Sequence, residues 1–140
     1  MVLDGDNLRF GMNADLGFDE ASRTEAVRRV GHICALMQQA GIVSIVSMVS
    51  PIAQDREAAR KLFDAGRFLE VYVDTPLAEC ERRDPKGHYK RARTGDLPNF
   101  TGIDAPYEAP INPQHRLLHY PDADTLVETV AAEVIAIAKK

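Results

Sequence analysis

The sequence predicts an α/β domain of the doubly wound type, and three observations predict it. Short stretches of strand-like residues, 1–3 (MVL), 42–48 (IVSIVSM) and 68–73 (FLEVYV), alternate with amphipathic stretches of helical period. Glycine and proline punctuate the joints between them. The 140 residues, 45% of them hydrophobic, are enough for one domain with a core and too few for two. Strand alternating with helix implies a mainly parallel sheet with right-handed crossovers, here as a single domain over residues 1–140.

Residues 1–3 read as the end of a buried strand. Asp4-Gly5-Asp6-Asn7-Leu8-Arg9 therefore falls where the chain leaves the sheet, at the edge where ligands bind in open α/β sheets. Asp4 and Asp6 can there reach a metal-bound phosphate or a substrate hydroxyl, and Arg9 offers a planar fork of donors to an anionic oxygen. The same residues also suit an ordinary turn. After a loop over 13–18, Ser22 is placed as the N-cap of a helix with Glu25 completing a capping box. Val27, Val30, Ile33, Cys34 and Met37 form its apolar stripe, and Gly41 ends it. Arg23, Arg28 and Arg29 lie off that stripe. Residues 42–48 are expected to form a strand covered on both faces, closed by Ser50-Pro51. A second helix is expected over 53–65 and a further strand over 68–73.

Asp74-Thr75-Pro76 opens a third helix, which Pro85 and Gly87 interrupt. Arg82, Arg83, Lys86, Lys90, Arg91 and Arg93 crowd around that break. A basic run can be a solvated face, but beside a hinge-like Asp-Pro-Lys-Gly it suits a mobile clamp over a polyphosphate. Residues 94–113 carry repeated Gly and Pro and read as a long ordered loop. A last strand is expected over 116–120, and then a closing helix capped by Asp124, with Val127, Val130, Val134 and Ile137 on its apolar face and Lys139-Lys140 at its end.

The net charge of −4 argues against a general nucleic-acid-binding surface. No apolar run reaches the length of a membrane span and no signal peptide is visible, so a cytoplasmic protein without a membrane partner is expected. Cys34 and Cys80 suit buried thiols in a reducing compartment, and no Cys or His pair has metal-ligand spacing.

The succession DGDNLRFGMNADLGF, SRTEAVRR, VSP, RDPKGHYKRAR and FTGIDAPYEAP, in this order and spacing, resembles adenylylsulfate kinase over nearly the whole chain. The resemblance implies a three-layer P-loop kinase-like fold. It also implies transfer of the ATP γ-phosphoryl group to the 3'-hydroxyl of adenosine 5'-phosphosulfate (APS), giving the activated sulfate donor PAPS, with Mg2+ as cofactor and ATP as co-substrate. By the same resemblance, Asp6 is the carboxylate near the attacking hydroxyl and Mg2+, and Asp4 supports the metal environment. Arg9 and Arg23 hold the phosphosulfate, and Phe18 and Phe100 sandwich the adenine. Lys86 belongs to the lid motif, Arg82 and Arg83 lie where the nucleotide phosphates are covered, and residues 107–110 line the nucleoside region. Residues 82–113 make up the lid and substrate loop. The family also implies a homodimer and an ATP sulfurylase partner or fusion.

Two departures stand out. Ala26 takes the place of an asparagine the family typically carries, removing one side-chain hydrogen bond to substrate and implying weaker APS binding. No G-x-x-x-x-G-K-[ST] occurs in the 140 residues, so the backbone cradle for the β- and γ-phosphates is missing from them. The expectation is of an adenylylsulfate kinase chain truncated or misannotated at its start, without the first strand and P-loop, a loss that costs many orders of magnitude in rate. Two alternatives stay open beside it, a non-catalytic APS or PAPS binding module and one part of a split or fused kinase. Another small-molecule P-loop kinase is disfavoured by the FTGI..PYEAP pattern and the two phenylalanines.

Overall fold

The computed structural model describes residues 1–118 and 123–138, with the side chains of residues 123–126 and 129 outside that description. The chain divides into two compact units, residues 1–63 with 99–108, and residues 64–98 with 109–140.

In the first unit, strand β1 (Val2–Asp4) leads directly into the short helix α1 (Gly5–Leu8), so the expected turn is a single helical turn. The 20-residue helix α2 (Glu20–Gln39) follows, then strand β2 (Ile45–Ser47) and helix α3 (Ala53–Arg60). β1 and β2 pair in parallel, with Val2 opposite Ile45 and Asp4 opposite Ser47. Leu3, Val30 and Cys34 form the buried centre, and Leu8, Met12, Ile33, Met37, Met48 and Phe63 pack against it. Burying a Val or Leu side chain stabilises by about 1.5–3 kcal/mol, so this cluster fixes α2 against β1. Gly31 lies on the inner face of α2. A Cβ there would stand 3.0 Å from Leu62 Cδ1 and 3.5 Å from Ala59 Cβ, so its bare backbone admits the second helix.

The cap of α2 is Asp19 rather than Ser22. The Asp19 carboxylate accepts from the Ser22 amide at 3.0 Å and from its hydroxyl at 2.7 Å, which leaves Ser22 in the first turn. Glu25 accepts from Arg28 and Arg29 instead of closing a capping box. Gly41, at φ +75°, turns the chain out of the helix as expected. β2 is shorter than residues 42–48, and Ile45 and Val46 are 53% and 43% exposed, so it is not covered on both faces. Among the described residues its sheet has two strands, while the apolar face of α2 packs on β1 and α3.

In the second unit, strands β3 (Val71–Asp74) and β4 (His115–Leu118) pair in parallel, with Val71 opposite His115 and Asp74 opposite Leu118. Arg116 donates to the Asp74 carboxylate across this pair, and Tyr72 donates to the same group. Helix α4 (Leu77–Arg83) stops at Asp84, and helix α5 (His88–Arg93) starts after Gly87. The Asp84 carboxylate accepts from the Tyr89 and Lys90 amides, and Gly87 sits at φ +67°. Asp-Pro-Lys-Gly thus breaks one helix into two, as its proline and glycine predict. Helix α6 (Ala123–Ala138) closes the chain, and its Glu133 meets the ring of His115 from β4. Tyr120, Lys139 and Lys140 lie outside the described residues, as does the side chain of Asp124. The helix expected over 53–65 ends at Arg60, and the strand expected over 68–73 begins three residues later, at Val71. Cys34 is buried, but Cys80 only partly so. No helix among the described residues is long and apolar enough to cross a membrane.

Candidate active site

Asp4 is at once the last residue of β1 and the N-cap of α1. Its Oδ1 accepts from the amides of Asp6 at 3.1 Å and Asn7 at 3.2 Å. The cap engages one carboxylate oxygen and places Asp6, exposed, in the first turn. Arg9 ends that turn. Its Nη1 donates to the carbonyls of Leu16 at 3.1 Å and Gly17 at 3.0 Å, and the guanidinium lies over the ring of Phe18, 3.9 Å from its centroid. From the second turn of the capped α2, Arg23 donates Nε to the Phe18 carbonyl at 2.8 Å and Nη2 to the Asn99 carbonyl at 3.0 Å. Its own guanidinium stands 5.8 Å from the Phe18 ring. One side chain therefore ties the loop of the first aromatic to the residue preceding the second, Phe100.

The Phe100 loop is built for that contact. Asn99 adopts φ +59°, and the Asp104 carboxylate accepts from the amides of Asn99 at 2.8 Å and Phe100 at 2.6 Å. The Phe100 carbonyl accepts in turn from the amides of Ile103, Asp104 and Ala105. Phe18 is 51% exposed, an aromatic face kept at the surface beside two cations.

The electrostatics of these arginines differ from those of their neighbours. Arg29 pairs with Asp15 at 2.7 Å and Glu25 at 2.9 Å; its hydrogen bonds hold the Asp15 carboxyl down to about 2, and those of Arg28 and then Arg29 do the same for Glu25. Arg9 and Arg23 bind only carbonyls and a ring, and neither forms a carboxylate salt bridge among the described residues. Burial and the charge of Arg9 push the Arg23 guanidinium below its ordinary value, with Asp19 opposing. Two cations held close without a carboxylate between them favour an anion at that place. Close by in sequence, Asn13 Oδ1 and Thr101 Oγ1 are buried with no hydrogen-bond partner among the described residues.

Asp4, Asp6, Arg9, Phe18, Arg23 and Phe100 all belong to the first unit; Arg82, Arg83 and Lys86 belong to the second. There, Arg82 grips Glu79 through Nε at 2.7 Å and Nη2 at 2.6 Å, and Arg83 reaches the same carboxylate at 2.7 Å. Those bonds hold Glu79 at about 2. Arg93 pairs with Glu81 at 2.5 Å. Lys86 is exposed in the turn between α4 and α5. Sequence reasoning missed the contacts of Asp19, Asp104, Arg56 and Glu108, which shape the loops. Of these, Asp19 carries a local signal as a good N-cap residue at a helix start, whereas Asp104 reaches back four and five residues to the Phe100 and Asn99 amides.

The adenylylsulphate kinase family profile matches residues 1–118. The chain belongs to the adenylylsulphate kinase family. It is 50% identical over 134 residues to a probable adenylyl-sulfate kinase of Halalkalibacterium halodurans, covering 96% of this chain and 64% of that protein. It is 55% identical over 131 residues to the bifunctional enzyme NodQ of Azospirillum brasilense, covering 93% of this chain and 21% of that one. The chain thus spans less than two thirds of the length of either relative. Among solved structures it resembles the Mycobacterium tuberculosis APS kinase CysC in complex with AMPPNP and APS, with a TM-score of 0.90 and 50% identity over 95% of this chain and 78% of that one. That likeness makes this member of the family an α/β protein of the P-loop kinase fold.

Proposed function

We propose that this chain carries the substrate half of an APS kinase, recognising APS for phosphorylation of its 3'-hydroxyl by ATP. The observation that carries the reading is Arg23, which binds the carbonyls of Phe18 and Asn99 while its charge, like that of Arg9, is left without a carboxylate partner. APS combines what such a place favours, an adenine for two aromatic faces and a phosphosulfate for two guanidiniums. Phe18 and Phe100 stack on the base, Arg9 and Arg23 hold the phosphosulfate, and residues 107–110 line the nucleoside through backbone groups.

In the reaction the 3'-oxygen forms a bond to the γ-phosphorus, the β,γ-bridging bond breaks, ADP leaves, and the hydroxyl proton passes to the Asp6 carboxylate. Asp4 holds the first turn in place through its cap, so that Asp6 is presented at the strand end. The donor chemistry suits Mg2+, because the two carboxylates are hard ligands of the kind it takes singly or in pairs. No cluster of three or more His, Cys, Asp or Glu side chains that could hold a metal occurs among the described residues, so its other ligands would be water and phosphate oxygens. Mg2+ when bound neutralises charge on the transferring phosphates. Lys86, Arg82 and Arg83 serve the nucleotide phosphates from the lid, residues 82–113 forming lid and substrate loop of one domain over 1–140. A second copy of the chain and an ATP sulfurylase, which makes APS, are the partners this role calls for in the cytoplasm.

Because the 140 residues contain no G-x-x-x-x-G-K-[ST], recognition and transfer are separate questions. Calorimetry with APS, beside PAPS formation from ATP, Mg2+ and APS, answers both. Saturable APS binding with PAPS formation supports the full kinase. Binding without turnover favours the module or split-kinase reading, which mixing with a P-loop-bearing segment then separates. No APS binding rejects the proposal.

A further inference from the structure

Helix α3 has no cap of its own. Its N-cap residue is Ile52, whose apolar side chain cannot accept from the first amides, and no side-chain cap bond is made there. A carboxylate from far along the chain does it instead: Glu108 Oε2 accepts from the Ala53 amide at 2.6 Å, 55 residues away in sequence. The same residue's backbone is held as well. The Glu108 amide donates to the Pro51 carbonyl at 2.8 Å, and Arg56, one turn into the helix, donates Nη2 to the Glu108 carbonyl at 2.6 Å. Arg56 also donates Nη1 to the carbonyl of Ser50 at 2.8 Å, where the backbone is in the left-handed region at φ +42°. Four hydrogen bonds thus converge from Glu108 and Arg56 on the Ser-Pro turn, the first turn of α3 and the end of the 99–108 loop.

We propose that Glu108 is a positioning residue for the substrate pocket, closing the 99–108 loop onto α3 as a lock whose other half is Arg56. Arg23 and Asp104 fix the Asn99 end of that loop, and the lock fixes its far end, so that Phe100 stands between two anchored points. A negative carboxylate also suits the positive end of the helix. This inference rests on the APS-recognition reading, and its test separates the two.

Amide hydrogen exchange of the whole chain is compared for the parent, Glu108→Ala, Glu108→Gln and Arg56→Ala, together with APS affinity by calorimetry. In Glu108→Ala, exchange at Ala53 and across residues 101–108 rises by about tenfold, the scale of a lost cap, while the amides of α2 keep parental protection. Glu108→Gln, whose side-chain oxygen can still accept, stays within about twofold of the parent in exchange and in APS affinity. APS binds Glu108→Ala about tenfold more weakly, because the free loop must be ordered on binding. Parental exchange in both Glu108→Ala and Arg56→Ala overturns the lock. A loosened loop with parental APS affinity overturns the positioning role. A parent that does not bind APS overturns the functional reading and the positioning role with it, while the exchange data still decide the lock.

Discussion

The two units carry arginine sets that look alike in sequence and differ in what they hold. Arg9 and Arg23 use their donors on backbone carbonyls and lie beside an aromatic ring, and neither forms a carboxylate ion pair among the described residues. Arg82 and Arg83 are turned back on Glu79 within α4, and Arg93 of α5 reaches Glu81 of α4. Exposed ion pairs three or four residues apart are weak structural contacts. They are nevertheless strong enough to lower the pull of each cation on a passing phosphate. Charge count alone therefore does not separate the two sets: carbonyls hold the guanidiniums of the first, and carboxylates those of the second.

The largest effect expected from this difference is at Arg23. Arg23→Ala removes a charged hydrogen-bond donor and unties Phe18 from Asn99, and APS affinity falls by about 100-fold in calorimetry. Arg23→Lys recovers little, because one ammonium cannot bridge two carbonyls as the fork does. Arg82→Ala and Arg83→Ala change APS affinity by less than about threefold. Equal losses in the two sets would break the comparison. Next in size is Phe18→Ala, which removes the stacking face and the seat of the Arg9 guanidinium; APS binds about tenfold more weakly, with thermal stability close to the parent's.

How far the site was legible in the sequence follows from the same contrast. Asp4, Asp6 and Arg9 were placed at a strand end by hydrophobic pattern and turn chemistry, and the first strand does end there. The break at Asp-Pro-Lys-Gly was legible because proline and glycine act locally. The pairing of Glu79 with Arg82 and Arg83 was legible too, at spacings of three and four along one helix. What sequence could not supply were long-range pairings. Glu108 caps α3 from 55 residues away and Arg23 meets Asn99 from 76 away, separations at which no local periodicity carries information. The α2 cap was missed for a different reason: Asp19 and Ser22 are both good caps, and only the helix start distinguishes them.

An intermediate effect sharpens the contrast from the side of the paired cations. Arg29 holds Asp15 and, with Arg28, Glu25 at about 2, below their ordinary values of 3.8 and 4.5. A carboxyl depressed in the folded state stabilises fully above its unfolded value, and that contribution is lost as pH falls through the folded one. Thermal midpoints of the parent should therefore fall between about pH 4 and about pH 2. Arg29→Met, lacking the donors, should lower the midpoint at about pH 7 by several degrees and flatten its decline over that window. An unchanged decline would show that the pairs around α2 are not what couples this unit to acid.

The smallest expected effect is at Glu79, and it bears most directly on the second set. Glu79→Gln keeps the shape of the side chain and removes the charge that Arg82 and Arg83 share. Because the pairs lie within one exposed helix, the thermal midpoint moves by less than about 2 °C. Two cations are released on α4, so ATP affinity at about 0.15 M salt rises, by no more than about threefold if screening governs the surface. A rise of tenfold or more would mean that Glu79 restrains a polyphosphate site. The pairs would then be a latch on the lid instead of a solvated face, and the second arginine set would stand level with the first.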